Sequence, residues 1–121
     1  MGLKVFLVED NTDTRRLLTC LLELSGHEVR SASSVQSALA ALGRWPCDVL
    51  VSDIGLPDGS GVELAEALKR RGELPFAIAV SGFGTAADVA ASLAAGFAHH
   101  LVKPIELEML DRLLQEAPGA R

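Results

Sequence analysis

The stretch VLVSDIGLPDGSG, residues 49 to 61, passes from a buried strand to a tight loop within a few positions. Its apolar start, Val49 to Val51, is typical of a strand covered on both faces of a sheet. Glycine, proline and aspartate follow Asp53 closely, and these residues favour turns. The sequence therefore predicts a strand over Asp48 to Ser52 that brings the Asp53 carboxylate to a strand end, where it either stops the strand or takes part in chemistry.

On both sides of this stretch, the apolar pattern alternates between the strand and helix periods. The predicted strands cover residues 3–8, 28–30, 48–52, 76–80 and 98–102. The predicted helices cover residues 11 or 12 to about 24, 33 to about 43, 60 to about 71, 85 to about 96, and a last segment with the apolar stripe of Leu107, Leu110 and Leu114. Strands joined by single helices form parallel sheets with helices on both faces. The expected fold class is thus α/β, a three-layer sandwich of five βα units.

Two of the helix starts have a specific signature in the sequence. Ser33 with Gln36, and Ser60 with Glu63, have the spacing of a capping box, in which the serine side chain accepts a hydrogen bond from the first helical turn. We therefore expect the second and third helices to begin at these two serines.

Length and composition restrict the function. A chain of 121 residues fits one domain, with a core over about 3–116 and a tail or linker start at 117–121. No segment reaches the ~18 continuous apolar residues of a membrane span, and the N-terminus lacks the features of a signal peptide. We therefore expect a cytoplasmic protein. The formal net charge of −5, with no basic run longer than Lys69 to Arg71, argues against direct binding to nucleic acid.

Four of the predicted strands lead into polar side chains. Glu9 and Asp10 follow the first strand, Asp53 the third, Ser81 the fourth and Lys103 the fifth. The carboxyl ends of parallel strands lie at one edge of the sheet, so we expect these groups to share a cleft. Three carboxylates at close range repel one another unless protons or a cation neutralise them. An open cluster of oxygen ligands suits Mg²⁺, which is the predicted cofactor.

The chemistry of such a cleft favours phosphoryl transfer. With a metal on Glu9 and Asp10, one oxygen of Asp53 can coordinate it while the other acts as a nucleophile toward a phosphoryl group. The metal and the Lys103 ammonium would stabilise charge on the transferring oxygens. Ser81 could donate its hydroxyl proton to one of those oxygens.

This ordered set of strand-end residues resembles the receiver domain of two-component response regulators. The resemblance covers about Leu3 to Leu114 and is carried by Glu9-Asp10, Asp53, Ser81 and Lys103-Pro104. It implies a flavodoxin-like (βα)5 fold with sheet order 2-1-3-4-5.

The resemblance also implies the phosphoacceptor and the metal ligands. Asp53 matches the aspartate that receives the phosphoryl group. Asp10 matches the direct Mg²⁺ ligand, and Glu9 matches its partner, which often acts through water. Gly55 matches the position whose backbone carbonyl binds the metal.

The remaining matches concern the conformational switch. Ser81 matches the switch hydroxyl, and Lys103 matches the phosphate-binding lysine, whose bond to Pro104 is usually cis in this family. The family often carries Tyr or Phe three residues before the lysine, where this chain has His100 and no Tyr at any position. Its ring can also turn inward and hydrogen-bond near Ser81, so we expect His100 to serve as a switch residue. The adjacent His99 must face the opposite side of the strand.

The resemblance further implies partners. A histidine kinase or a histidine phosphotransfer domain would donate the phosphoryl group, and the chain would assist its own phosphorylation and dephosphorylation without being an enzyme for another substrate. A homodimer would form through the face of strand 4, helix 4, strand 5 and helix 5. The phrases DIGLP, SGFGT and GFAHHLVKP resemble receivers attached to hybrid sensor histidine kinases, although stand-alone receivers share them.

Three other functions compete with this interpretation. An aspartate-nucleophile phosphohydrolase typically needs a second acid two residues after the nucleophile, where this chain has Gly55. A flavin-binding electron carrier needs a phosphate-binding loop after the first strand, where Glu9 and Asp10 would repel phosphate. The full set of strand-end residues argues against an interaction module of the same fold that works without phosphorylation, although the sequence alone leaves this alternative open.

Overall fold

The computed structural model describes residues 2–82 and 84–118 of the chain. The five main strands are β1 (Lys4–Val8), β2 (Glu28–Ala32), β3 (Val49–Asp53), β4 (Phe76–Ser81) and β5 (His99–Val102). The five helices are α1 (Thr12–Leu24), α2 (Val35–Leu42), α3 (Gly61–Arg70), α4 (Ala86–Ala95) and α5 (Leu107–Leu114). A small antiparallel hairpin, which was not predicted from the sequence, pairs Gly55–Leu56 with Gly59–Ser60 between β3 and α3.

The five main strands form one parallel sheet in the order β2-β1-β3-β4-β5. This order confirms the predicted 2-1-3-4-5 arrangement. The direction of winding reverses between β1 and β3: the chain passes from β1 to β2 on one side of this pair, and from β3 to β4 and β5 on the other. In open α/β sheets, ligands bind beyond the carboxyl ends of the strands at such a reversal.

Two apolar cores lie on the two faces of the sheet, as a three-layer sandwich requires. On one face, Phe6 and Leu50 pack with residues of α2 and α3 such as Leu64. On the other face, Val5 and Val51 belong to a core that includes residues of α1 and α5. Neighbouring residues of a strand point to opposite faces. The continuous apolar runs of β1 and β3 therefore make both of their faces apolar.

The predicted cap of the second helix is wrong by one residue. Ser34, not Ser33, caps α2, and its Oγ accepts a hydrogen bond of 3.1 Å from the backbone N–H of Ser37. The strand β2 extends to Ala32, further than predicted, because its whole length pairs with β1. Ser33 is therefore still part of the connection that leaves the sheet.

The other helix starts agree with the sequence more closely. Asn11 caps α1 and Thr85 caps α4. Ser60 caps α3, with its Oγ accepting a bond from the N–H of Val62. At the C-terminal side of α4, Gly96 has φ of +113°, a left-handed conformation that suits glycine.

The last helix leads into a buried residue. Ala117 packs in the core shared by α1 and α5. Residues 119–121 of the predicted tail lie outside the described residues. Among residues 2–82 and 84–118, no helix has both the length and the apolar character to cross a membrane.

Candidate functional site

The strand register brings the predicted site residues to one edge of the sheet. Val8 pairs with Ser52, which places Glu9 beside Asp53. Asp53 pairs with Val80, next to Ser81, at the end of β4. Lys103 directly follows β5, and its backbone N–H donates a bond of 2.8 Å to the carbonyl of Ser81. The cleft therefore forms at the reversal between β1 and β3.

Lys103 links the two buried carboxylates of the cleft. Its Nζ donates one hydrogen bond of 2.9 Å to Glu9 Oε1 and another of 2.9 Å to Asp53 Oδ2. Glu9 is 2% exposed and Asp53 is 6% exposed. A single ammonium charge thus faces two carboxylates, which leaves room for one more positive charge.

The pKa values of the two buried carboxyl groups are shifted in opposite directions. Burial raises the pKa of Asp53 to about 7, and the neighbouring charge of Glu9 adds to that rise against the opposing bond from Lys103. Burial also acts to raise the pKa of Glu9, but the hydrogen bonds from the Asn11 backbone, Asp53 and Lys103 hold that pKa below its ordinary value. The same two carboxylates raise the pKa of Lys103 although burial opposes this. Asp53 is therefore the group that takes up a proton most readily.

Asp10 completes a cluster that could hold a metal ion. Glu9, Asp10 and Asp53 each offer a carboxylate oxygen, and these oxygens lie within 4.8 Å of one another. Two of the three are buried while Asp10 is exposed, so the cluster opens to water on one side. An open set of hard oxygen ligands fits Mg²⁺, which keeps several of its waters.

The loop after Asp53 is held close to the cluster. The N–H of Ile54 donates to the carbonyl of Val80, and the N–H of Gly61 donates to the carbonyl of Ile54, both at 2.8 Å. A Cβ on Gly61 would collide with the backbone carbonyl oxygen of Asp53, so this close approach requires glycine. Gly55 lies inside this loop, and its role as a carbonyl ligand stays a prediction.

Several supporting residues were not predicted from the sequence. Arg15 Nη1 donates a bond of 2.8 Å to the carbonyl of Glu9, and the N–H of Asn11 donates to Glu9 Oε2 at 3.0 Å. The buried Ser52 Oγ donates a bond of 3.0 Å to the carbonyl of Asp53. The sequence contained one indication for Arg15. It lies one helical turn after the cap residue Asn11 and therefore on the same side of α1, near the start of the helix.

The other end of the cleft contains Ser81 and His100. Ser81 Oγ lies 2.7 Å from His100 Nε2, and the ring's Nδ1 lies 2.8 Å from the Oγ of Ser92 on α4. His99 faces away and contacts Glu116 at 2.7 Å. The histidines thus point to opposite sides, as expected, while the contact with Ser92 was not predicted. The peptide bond between Lys103 and Pro104, which the resemblance implies to be cis, is cis in the structure.

A groove of about 480 Å³ adjoins the cleft. It lies between α1 and the segment after β5, and it is lined by Thr14, Leu17, Leu18, Lys103, Pro104 and Ile105. Most of these side chains are apolar, and Leu17 is 59% exposed. Lys103 therefore borders a mostly apolar groove beside the cleft.

Comparison with known proteins identifies the family. The family model described as the response regulator receiver domain matches residues 5–115. The chain is 36% identical over 114 residues to the "Uncharacterized 14.6 kDa protein in sodA1 3'region" of Leptolyngbya boryana, covering 93% of this chain and 87% of that protein. It is 32% identical to the response regulator protein PilR of Pseudomonas aeruginosa, covering 94% of this chain but only 26% of PilR.

Solved structures show the same architecture. The chemotaxis protein CheY4 of Vibrio cholerae superimposes with a TM-score of 0.91 at 26% identity, covering 98% of this chain and 100% of that one. The receiver domain of the sensor histidine kinase PA1611 of Pseudomonas aeruginosa, which has magnesium in its active site cleft, gives a TM-score of 0.86 at 25% identity, covering 95% and 96% of the two chains. With the matched sheet order and the acidic cluster, these findings show that this chain belongs to the response regulator receiver domain family of two-component signalling.

Proposed function

We propose that this receiver domain accepts a phosphoryl group on Asp53 and changes conformation in response. The observation that carries the proposal is the position of Asp53, which is bonded to Lys103 at 2.9 Å and lies in a carboxylate cluster with Glu9 and Asp10. A fixed carboxylate beside an ammonium is suited to attack phosphorus, because the ammonium can stabilise the negative charge on the phosphoryl oxygens during transfer.

The transfer step follows from this arrangement. An oxygen of Asp53 forms a bond to phosphorus while the bond from phosphorus to the donor's histidine nitrogen breaks, and that nitrogen keeps the electron pair. Lys103 stays close to the phosphoryl oxygens throughout. Glu9, Asp10, Asp53 and the Gly55 carbonyl would hold Mg²⁺, which supplies further positive charge at those oxygens when bound. The same residues would assist later hydrolysis of the phosphoaspartate, without acting on another substrate.

A protein donor is part of the proposal, either a histidine kinase or a histidine phosphotransfer domain. The apolar groove beside Lys103 supports a protein donor, since a protein can contact the exposed Leu17 and a small phosphodonor does not need such a contact. The family also includes a kinase relative: over 124 residues the chain is 32% identical to the signal transduction histidine-protein kinase BarA of Escherichia coli, of which it spans 13%.

A homodimer through the face of strand 4, helix 4, strand 5 and helix 5 is also part of the proposal. Leu93 on α4, Val102 on β5 and Met109 on α5 are exposed large hydrophobic residues, and each lies on one element of the predicted dimer face. A second copy of the chain would cover them. A cytoplasmic location and the lack of direct nucleic-acid binding belong to the same proposal, the latter supported by the net charge of −5.

The proposal is tested by phosphorylation with a small phosphodonor, such as acetyl phosphate, in the presence of Mg²⁺. Intact-protein mass spectrometry should show one added phosphoryl group on the wild type and none on Asp53→Asn. Asp48→Asn is a matched control, because Asp48 is exposed just before β3, at its opposite end, and bonds the Lys4 backbone. It should be modified like the wild type.

Two results would contradict the proposal. Modification of Asp53→Asn to the wild-type extent would place the acceptor elsewhere. An unmodified wild type, given Mg²⁺ and either acetyl phosphate or a phosphorylated phosphotransfer domain, would favour the alternative of an interaction module that works without phosphorylation.

A further inference from the structure

The ring of His100 is bound at both of its nitrogens. Nε2 contacts Ser81 Oγ at 2.7 Å, and Nδ1 contacts Ser92 Oγ at 2.8 Å. Ser92 is fully buried in α4, and its Oγ lies 2.9 Å from the carbonyl oxygen of Val89. We call Ser81, His100, Ser92 and Val89 the His100 relay. It connects the end of β4, at the proposed phosphorylation site, to the interior of α4.

The direction of each bond in the His100 relay follows from the chemistry of the groups. A neutral imidazole has one N–H donor and one acceptor nitrogen. The Val89 carbonyl can only accept, so Ser92 donates its single proton there. Ser92 Oγ must then accept from an N–H at Nδ1. Nε2 is consequently the acceptor, and it receives the hydroxyl proton of Ser81.

This direction conflicts with what phosphorylation requires. Ser81 has one hydroxyl proton, and the relay directs it to His100, whereas the switch needs it at a phosphoryl oxygen. The conflict disappears in the other tautomer of His100, in which an N–H at Nε2 donates to Ser81 Oγ. Ser92 must then turn its proton from Val89 to Nδ1, which removes one hydrogen bond from α4.

We propose that Ser92 is a positioning residue that acts through His100. It stabilises the tautomer with the proton on Nδ1, and it thereby keeps the Ser81 proton directed away from the phosphoryl site. Phosphorylation of Asp53 moves the ring proton to Nε2, and the change reaches α4 as a rotation of the Ser92 hydroxyl. This inference rests on the proposed phosphorylation of Asp53.

The tautomer can be measured directly in the wild type. Protein labelled with ¹⁵N at histidine is observed by long-range ¹H–¹⁵N NMR at about pH 8, where an ordinary imidazole is neutral. We expect the proton of His100 on Nδ1 in the free protein and on Nε2 after saturation with Mg²⁺ and beryllofluoride, a phosphoryl mimic. A free ring protonated on Nε2, a charged ring, or a tautomer that does not change on saturation would overturn the inference.

Ser92→Ala distinguishes this role from a purely structural one, because the two roles predict different changes in the affinity for beryllofluoride. Without the Ser92 hydroxyl, an N–H at Nδ1 would lose its acceptor at a partly buried position, and leaving a donor unpaired there is costly. The free variant should therefore already carry the proton on Nε2, and it should bind beryllofluoride roughly threefold to tenfold more tightly than the wild type. If Ser92 only packed α4, binding would weaken or stay the same, which would overturn the inference.

Thr19→Ala is the matched control. Thr19 Oγ1 donates to the Arg15 carbonyl within α1, as Ser92 does within α4, but it has no ring contact in the described part of the chain. In this variant, the tautomer of His100 and the affinity for beryllofluoride should equal those of the wild type. If Asp53→Ala binds beryllofluoride as well as the wild type, the proposed function fails together with this inference. If binding needs Asp53 but the tautomer stays unchanged, only this inference fails.

Discussion

At the scale of single residues, the charge balance of the cleft governs its behaviour. Lys103 contributes one positive charge to the two buried carboxylates of Glu9 and Asp53. A proton on Asp53 or a divalent cation can supply the second. A proton and a metal ion would therefore compete for the same carboxylate, and metal binding would depend on pH.

This competition predicts the pH dependence of Mg²⁺ binding. Burial raises the pKa of Asp53 from 3.8 to about 7. Below that pH a proton must leave before Mg²⁺ binds, so we expect the Kd for Mg²⁺ to be roughly tenfold higher at pH 6 than at pH 8. Calorimetric titration at the two pH values measures it. Asp53→Asn should bind Mg²⁺ more weakly, with little difference in Kd between the two pH values. A wild-type Kd that is the same at pH 6 and pH 8 would refute the competition between proton and metal at Asp53.

The same shift has a consequence for stability. Because the pKa of Asp53 is raised in the folded state, its ionisation opposes folding, and the metal-free protein should lose stability as pH rises from 3.8 through about 7. Mg²⁺ removes this loss, so the increase in Tm on adding Mg²⁺ should be larger at pH 8 than at pH 6.

At the scale of elements, the hairpin after β3 stabilises the start of α2. Asp58 at its turn accepts hydrogen bonds from the backbone N–H groups of Val35 and Gln36, at 2.8 and 3.0 Å. These bonds satisfy donors that the first turn of a helix leaves unpaired, and they lower the pKa of Asp58. The loop that follows the proposed phosphoacceptor is thus attached to a helix distant in sequence.

Replacement of Asp58 by asparagine should weaken this attachment. The carboxylate carries the charge that favours a helix N-terminus, so Asp58→Asn should lower the urea midpoint of unfolding at pH 7. Since the pKa of Asp58 is lowered in the folded state, its contribution is present above 3.8 and is lost as pH falls through the lowered value. The difference between variant and wild type should therefore shrink in acid.

Glu66→Gln is the control for this comparison. Glu66 is exposed on α3, and its replacement removes the same charge away from the start of α2. Its midpoint should stay close to that of the wild type. An Asp58→Asn midpoint equal to the control at pH 7 would show that the two hydrogen bonds do not depend on the carboxylate charge.

At the scale of the whole molecule, one sheet separates two cores and presents the site at its edge. The α1 side borders the apolar groove beside Lys103, while β4, α4, β5 and α5 form the proposed dimer face. Donor and second copy would therefore use different surfaces. The chain spans 26% of PilR and 13% of BarA, so the receiver is one part of those longer relatives.

The dimer proposal predicts a change in sedimentation. With Mg²⁺ and beryllofluoride, the wild type should shift from monomer to dimer, and Met109→Glu should stay monomeric because it places a charge among apolar side chains at the interface. Leu24→Glu is the matched control, since Leu24 is 84% exposed on α1, which is not an element of that face. If the two variants dimerise equally, the interface lies elsewhere.

Local patterns were sufficient for much of the fold and site. The alternation of strand and helix periods, and polar residues such as Asp53 and Lys103 after apolar strands, are properties of short segments. Parallel topology then brings strand ends to one edge, whatever the details of packing. For this reason the alternation of strands and helices and the residues of the cleft were predictable from the sequence, whereas the sheet order was implied by the resemblance to receiver domains.

Contacts between distant segments were decided only by the tertiary structure. Whether Ser33 or Ser34 caps α2 depended on how far β2 pairs with β1, and the second set of bonds at that helix comes from Asp58. Ser92 has the sequence context of an ordinary helix residue, and it becomes part of the relay because the packing of α4 buries this side chain with its hydroxyl against His100. Burial makes each unpaired polar group costly, so packing selects these partners, and no local pattern in the sequence contains that information.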